Sequence, residues 1–457
     1  MLKDLSCFKA YDIRGRVPEE LDEGLSFKIG VAFAKIFKSK SVIVGYDARL
    51  ESPKIANALM LGLKESGVDV INIGLCGTEE VYFNTFFHEN DGVDGGIMVT
   101  ASHNPKGFNG MKLVTKGSRP ISNDSGLLDI KNMVASLNCE FKEDNFDPTL
   151  KLDKTDYINH LLNYVNIATL KPLKIVVNPG NGTAGLVIKE LEKHLPFDFI
   201  FIHEDVDGTF PNGVPNPILV KNRQSTIDAV LTHKADLGIA WDGDFDRCFL
   251  FDEKGNFIEG YYIVGLLAKA FLEKEKGAKI IHDPRLTWNT LDIVNNYEGQ
   301  AIQSKTGHAF IKERMRFEDA IYGGEMSAHH YFKDFAYCDS GMIPWLLVTE
   351  LMSKNGVSLS SLVEERIQKF PCSGELNYKV KDANSIIDSV LNHFKPLNPI
   401  LDQTDGISLS FDMWRLNLRI SNTESLLRLN IETKGDERLV NEKVKEVEMI
   451  INQQTVV

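Results

Sequence analysis

Apolar runs of strand length recur along the chain, and helical patterns or small polar residues follow them. The first series is "KSVIVGYD" near 43, "INIG" near 71 and "GGIMVTASHNP" near 96, with the helical pattern "SPKIANALMLGLKESG" between the first two. A second series runs "LKIVVNPGNG" near 174, "DFIFIHE" near 199 and "ADLGIAWDGDFDR" near 236. A third runs "AKIIHDPRL" near 278, "GQAIQSKTGH" near 301 and "DAIYGGEMSAHH" near 320. Within each series the strands are spaced alike, about 25 and then about 20 to 40 residues apart, which is the mark of an internal repeat. Strands separated by helical patterns predict parallel α/β units, because parallel neighbours need a crossover. From about residue 370 the pattern changes. "GISLSFDMWRLNLRISNTESLLRLNIET" alternates apolar and polar positions over hairpin-like runs, and "DERLVNEKVKEVEMIINQ" reads as a closing amphipathic helix, so a smaller α+β domain is expected there.

Composition narrows the function classes. A chain of 457 residues exceeds one core, and at roughly 100–200 residues per domain it predicts several domains and clefts between them. The 43% hydrophobic and 25% charged content is that of a globular chain, and no apolar run approaches the roughly 18 residues of a membrane span. The opening "MLKDLSCFKAYDIRG" lacks a continuous apolar stretch and is expected to be neither signal peptide nor anchor. The cysteines at 7, 76, 139, 248, 338 and 372 have no short spacing, so they read as reduced thiols of a cytoplasmic protein, and zinc is not expected. A net charge of −13 argues against nucleic acid as a partner. An anionic small substrate then needs a locally basic pocket.

Three strands empty into loops that carry candidate chemistry, all beyond strand carboxyl ends, where ligands of α/β sheets gather. In "DGDFDR", Asp242, Asp244 and Asp246 stand at alternate positions. Three carboxylates this close suit a hard cation such as Mg²⁺ with all-oxygen ligation. An EF-hand is disfavoured because the loop follows a strand and lacks the closing Glu; a solvated acidic turn is the bland alternative. Because Mg²⁺ commonly bridges to a phosphate, Ser102 in "VTASHNPKGFNGMKL" is read as a phosphate carrier completing the metal's coordination. Gly107 and Gly110 are expected to let the backbone approach, and Lys112 to sit on phosphoryl oxygens; His103 reads equally as a loop-ordering residue. In "GEMSAHH", Glu325 and Ser327 suit vicinal sugar hydroxyls, and of His329 and His330 at most one is expected to face a ligand. Upstream lie Lys305, His308 and Arg285. In the last domain, "RISNTESLLR" offers Arg419, Ser421, Asn422, Thr423 and Arg428 as a cradle for a phosphate monoester.

The four elements "TASHNP", "DGDFDR", "GEMSAHH" and "RISNTE", in this order, resemble the α-D-phosphohexomutase family over essentially the whole chain. The sugar loop is similar to that of members acting on mannose phosphates, and the chain most resembles the bacterial branch that feeds GDP-mannose synthesis. The resemblance implies three related α/β domains with mixed, mainly parallel sheets plus a smaller C-terminal α+β domain around a central cleft. The boundaries expected are 1–145, 146–254, 255–368 and 369–457. It further implies Ser102 as phosphorylated nucleophile, with Asp242, Asp244 and Asp246 as Mg²⁺ ligands alongside it. Arg14, Lys112 and His308 would act in catalysis. Tyr11, Arg247, Lys305, Glu325, Ser327, His329, Arg419, Ser421, Asn422 and Thr423 would bind substrate, and Arg285 and Arg428, read from the residues alone, are expected to join them. The implied reaction interconverts mannose 6-phosphate and mannose 1-phosphate through a hexose 1,6-bisphosphate. Hexose phosphates would be the partners, with no nucleic acid or membrane, in a monomer or weak homodimer. Lys106 adds charge to the serine loop. The alternatives are an enzyme serving mannose and glucose phosphates alike, a Mg²⁺-dependent sugar phosphatase with an aspartate nucleophile, and a non-catalytic sugar-phosphate binder.

Overall fold

The computed structural model describes residues 5–142, 152–421 and 426–455. The chain divides into two compact units, one running up to Phe257 and taking in His329–Ser358, the other made of Ile258–Ala328 and the chain from Leu359 on.

The first unit contains two mixed sheets. In one, the strands are ordered Ile13–Arg16, Phe108–Thr115, Gly95–Val99, Ser41–Tyr46 and Asp69–Leu75. Ser41–Tyr46 is parallel to both Asp69–Leu75 and Gly95–Val99, as the helix between the first two requires. Phe108–Thr115 returns antiparallel to Gly95–Val99, with Val99 opposite Met111. The other sheet repeats the arrangement: Lys174–Asn178 is parallel to Asp198–Phe201 and Leu237–Trp241, and Cys248–Asp252 returns antiparallel with Cys248 opposite Trp241. The hydrophobic runs form these strands because both faces are covered; Gly95–Val99 and Leu237–Trp241 are buried throughout. The helix Glu23–Phe37 starts where Asp22 accepts the amide of Leu25 at 2.8 Å, and Ser52–Glu65 starts with Pro53 in its first turn. Their apolar stripes close the first core over Ile29, Phe33, Leu59, Val44 and Ile97.

In the second unit Lys279–His282 is parallel to Gln300–Gln303 and Tyr322–Gly324. The C-terminal sheet, ordered Leu376–Tyr378, Leu427–Thr433, Trp414–Ile420, Ile407–Ser410 and Ile400–Asp402, is antiparallel throughout, as the alternation from residue 407 on predicts. The helices Ala383–Phe394 and Glu437–Thr455 contribute Ile386, Val390, Val440 and Val447 to its core. Among the described residues no helix is long and apolar enough to cross a membrane.

Candidate active site

In each sheet of the first unit a parallel strand ends, a short loop crosses, and an antiparallel strand leaves. Ser102 lies in the loop after Gly95–Val99, and the three aspartates in the loop after Leu237–Trp241. The two loops touch because residue 243 is glycine: a Cβ there would overlap the carbonyl oxygen of Ser102. Ser102 itself takes a left-handed backbone, φ 50°, a conformation that costs a non-glycine residue about 1 kcal/mol or more.

This contact brings the sequence-predicted residues into one buried cluster. Ser102 Oγ donates to Asp242 Oδ2 at 2.8 Å, and Arg247 pairs with the same oxygen at 2.7 Å. Lys112 Nζ lies 2.7 Å from Asp244 Oδ2 and also donates to Asp246. Thr78 Oγ1 donates to Asp244 Oδ2 at 2.5 Å. The oxygens Asp244 Oδ1 and Asp246 Oδ1 are buried and accept no hydrogen bond from the described residues. Arg247 Nε and His329 Nδ1 each stand 3.9 Å from Asp246 Oδ1. Carboxylate oxygens of the three aspartates lie within 4.8 Å of one another. Buried acceptors without donors are costly, and two that face a shared carboxylate cluster are what a hard cation satisfies. The donor set fits Mg²⁺.

Charge decides protonation here. Burial works against the Lys112 ammonium, but Asp244 and Asp246 outweigh it and hold its pKa well above the ordinary lysine range. Lys112 therefore stays charged and serves as a counter-ion. Burial raises the Asp246 carboxyl to about 6, with the Asp244 charge adding to the rise. Asp244 moves the other way, since Lys112 overcomes burial and lowers it. Burial, then the Arg247 charge, keeps His103 neutral, with its Nδ1 3.1 Å from Ser102 Oγ and in contact with Arg247. Because Arg247 only donates, that nitrogen is the acceptor.

Around the cluster, Arg14 Nη1 donates to Asn104 Oδ1 at 2.7 Å and to the Ala101 carbonyl at 3.3 Å, so it braces the serine loop. Tyr11 is half-buried just before the strand Ile13–Arg16. His329 Nδ1 is 2.8 Å from Asp339 Oδ2, and His330, the next residue, points into the core with no exposure. Lys112 is placed differently from the loop position expected: it lies in the strand Phe108–Thr115, where its side chain is fixed by the strand rather than by glycine turns. Gly107 has a left-handed backbone, φ 79°, and Gly110, inside that strand, allows the close backbone approach expected of it: a Cβ there would overlap the carbonyl oxygen of Ile13.

The second unit assembles the remaining candidates. Glu325 is buried and accepts from the amide of Gly307 at 3.1 Å, which draws the loop carrying Lys305 and His308 beside it. Lys305 is exposed, its ammonium 5.2 Å from the Phe310 ring centre, and His308 opens the helix His308–Glu318. Arg285 is 1% exposed; it bonds Asp283 at 2.8 Å, Ser327 Oγ at 3.1 Å, Glu325 at 3.3 Å and Glu375 at 3.3 Å. It thus ties Glu325 and Ser327 to Glu375. Arg419 and Arg428 stand directly opposite each other on paired strands, an arrangement that like charges disfavour, and Glu375 bridges them at 3.3 and 3.4 Å. An anion is therefore already part of this arginine cluster. Ser421 is buried and donates its amide to the Leu426 carbonyl at 2.9 Å, while Asn422 and Thr423 lie outside the described residues. Sequence reasoning missed Thr78, Asp339 and Glu375, none of which belongs to a motif-like run.

Comparison with known proteins gives a consistent picture. Residues 6–137, 155–255 and 259–370 match the models of phosphoglucomutase/phosphomannomutase α/β/α domains I, II and III. The chain is 57% identical over 447 residues to phosphohexose mutases of Xanthomonas campestris pv. campestris (strain B100), covering 98% of this chain and 99% of that protein. It is 55% identical to a phosphomannomutase of Vibrio cholerae (98% and 99% covered) and 53% identical to one of Escherichia coli strain K12 (99% and 100%). Among solved structures, a phosphoglucomutase/phosphomannomutase family protein from Burkholderia thailandensis superposes with a TM-score of 0.85 at 29% identity, covering 97% of each chain. N-acetylphosphoglucosamine mutase of Aspergillus fumigatus, in complex with GlcNAc-6P and magnesium, shares the fold at 13% identity, TM-score 0.58, covering 99% of this chain and 96% of that one.

Proposed function

The chain belongs to the phosphoglucomutase/phosphomannomutase family, and from that premise we propose that it is a phosphomannomutase, an isomerase interconverting mannose 6-phosphate and mannose 1-phosphate through a 1,6-bisphosphate and a phosphoserine at Ser102. The observation carrying this reading is the Ser102 hydroxyl, 2.8 Å from Asp242 inside a buried cluster of three carboxylates and two cationic side chains. A serine intended only for a turn has no need of that company.

Asp242, Asp244 and Asp246 would hold Mg²⁺ together with an oxygen on Ser102, and the metal would supply charge neutralisation at the transferring phosphoryl group. In the first transfer the bond from Ser102 Oγ to phosphorus breaks and a bond to the substrate's free hydroxyl oxygen forms. The hydroxyl proton is taken up within the site, and Ser102 Oγ is released as an oxyanion that regains a proton. The bisphosphate then turns end over end, and its other phosphate returns to Ser102 by the reverse steps. Lys112 and Arg247 remain cationic throughout, which fits them to offset charge on the transferring group rather than to carry its proton. Glu325 and Ser327 are suited to the sugar hydroxyls, with Arg285 fixing both. Arg419 and Arg428 are suited to the distal phosphate, with Ser421, Asn422 and Thr423 beside them in sequence. Six cysteines without a disulfide support a cytoplasmic setting, and the product would serve GDP-mannose synthesis.

A coupled assay with mannose 1-phosphate, Mg²⁺ and hexose 1,6-bisphosphate activator tests the reading. Turnover dependent on all three is expected, and release of inorganic phosphate in place of mannose 6-phosphate would instead favour a phosphatase.

A further inference from the structure

One buried guanidinium outside the residues assigned above commits all four of its Nη hydrogens to the loop that carries Ser102. Arg49 is 2% exposed. Its Nη2 donates to the carbonyl oxygens of Ser102 at 2.8 Å and Asn104 at 2.6 Å, and its Nη1 to those of Pro105 at 3.1 Å and Phe108 at 2.9 Å. Its Nε lies 3.4 Å from Asp47 Oδ2. The same carboxylate accepts from Thr100 Oγ1 at 2.7 Å, and Thr100 Oγ1 accepts the Ser102 amide at 2.8 Å. Ser102 is therefore held from its carbonyl side by Arg49 and from its amide side by Asp47 through Thr100. Four carbonyl dipoles converging on one point repel one another unless a cation lies among them, and only a planar fork offers four donors at once.

We infer that Arg49, backed by Asp47, is a positioning residue that fixes Ser102 in line for phosphoryl transfer. The inference rests on Ser102 as the phosphoryl carrier. A phosphoryl group brings close to two negative charges beside three aspartates, so each transfer changes the force on the loop. A clamp that grips only backbone carbonyls keeps the same hold in both states. The four Nη hydrogens of Arg49 are committed to carbonyls and the side chain is buried, so it offers no donor to a sugar phosphate, and its loss acts on the chemical step and spares binding.

Arg49→Lys and Arg49→Ala test this. Each is checked for folding by thermal melting, then loaded with glucose 1,6-bisphosphate and followed by intact mass and by steady-state kinetics. Arg49→Lys keeps the charge but cannot fork, and a misplacement of about 1 Å is worth about 100-fold in rate. We expect kcat to fall about 10- to 100-fold with KM within about twofold, and the phosphoserine to be lost to water faster than in the wild type. Added guanidinium should restore part of the lost kcat to Arg49→Ala. A folded Arg49→Lys with wild-type kcat, or with a raised KM and unchanged kcat, overturns the positioning role while leaving phosphoserine 102 intact. Absence of any phosphate on Ser102 in loaded wild type overturns the underlying reading, and the inference with it.

Discussion

Lys112 and Asp244 show how opposite charges in one buried cluster divide the work. Asp244 receives Lys112 and Thr78 on one oxygen and leaves the other without a donor among the described residues, whereas Lys112 spends its charge on two carboxylates. Asp244→Asn removes one negative charge and half of a hard-cation ligand, so Mg²⁺ activation should shift to higher concentration as turnover drops. Lys112→Met removes a positive charge from the same place. Turnover should again drop, but with Mg²⁺ activation at equal or lower concentration, because the carboxylates lose a competitor. Titration of activity against Mg²⁺ in the two variants separates them, and wild-type Mg²⁺ dependence in Asp244→Asn would make the acidic loop structural. The aspartates were legible because they alternate within one short run, and Ser102 because a cluster of small polar residues follows an apolar strand. Thr78 was not: its partner Asp244 is 166 residues away, a pairing that only the folded chain creates.

At the scale of elements, the strands read from apolar runs are all present, and the misreading concerns the polar stretch after residue 100. "FNGMKLVT" looks like loop, yet Phe108–Thr115 is a strand buried along most of its length. Its Asn, Gly and Lys are tolerated there because their partners lie in the same core: Asn109 donates to Ser52 at 2.9 Å, and Lys112 reaches the aspartates. A polar residue in a buried strand is uninterpretable until its partner is known. His330, in the buried strand His330–Phe332, offers a measurable counterpart. Burial, with His329 beside it, lowers its pKa to about 3. Its folded value lies below the unfolded value near 6.5, so the neutral ring contributes no penalty above pH 6.5 and stability is lost as pH falls toward 3. His330→Gln should therefore gain stability relative to wild type as pH is lowered from 6.5 to 4, by up to about 1.4 kcal/mol per pH unit. Melting curves of both proteins across that range check it; a difference independent of pH would place His330 in an environment that accepts the charge.

For the whole molecule, the repeat of parallel strand, loop and antiparallel strand explains why several loops carry chemistry and why the sequence could be read domain by domain. What the repeat does not reveal is how the loops are held. Arg49, Asp339 and Glu375 hold Ser102, His329 and the arginine pair, and none lies in the loop it serves. The reaction also constrains sugar choice. Turning a hexose 1,6-bisphosphate end over end exchanges positions 1 and 6 and, in the same motion, the places of the 3- and 4-hydroxyls. Arg285 links Glu325 and Ser327, and on the proposed mechanism these two would grip that pair of hydroxyls in both poses. Mannose and glucose differ at the 2-hydroxyl, outside the pair, so glucose phosphates should also turn over, at a disadvantage of roughly 1–3 kcal/mol. Glu325→Ala should harm both activities by similar factors, and loss of one alone would contradict the shared grip. The most direct test of the account is the fate of the phosphoryl group itself. Wild-type enzyme incubated with labelled hexose 1,6-bisphosphate should carry one acid-stable phosphate, mapped to Ser102, and Ser102→Ala should remain folded, take up none, and lose several orders of magnitude in turnover. Near-normal turnover in Ser102→Ala, or label that hydroxylamine releases from an aspartate, would contradict it.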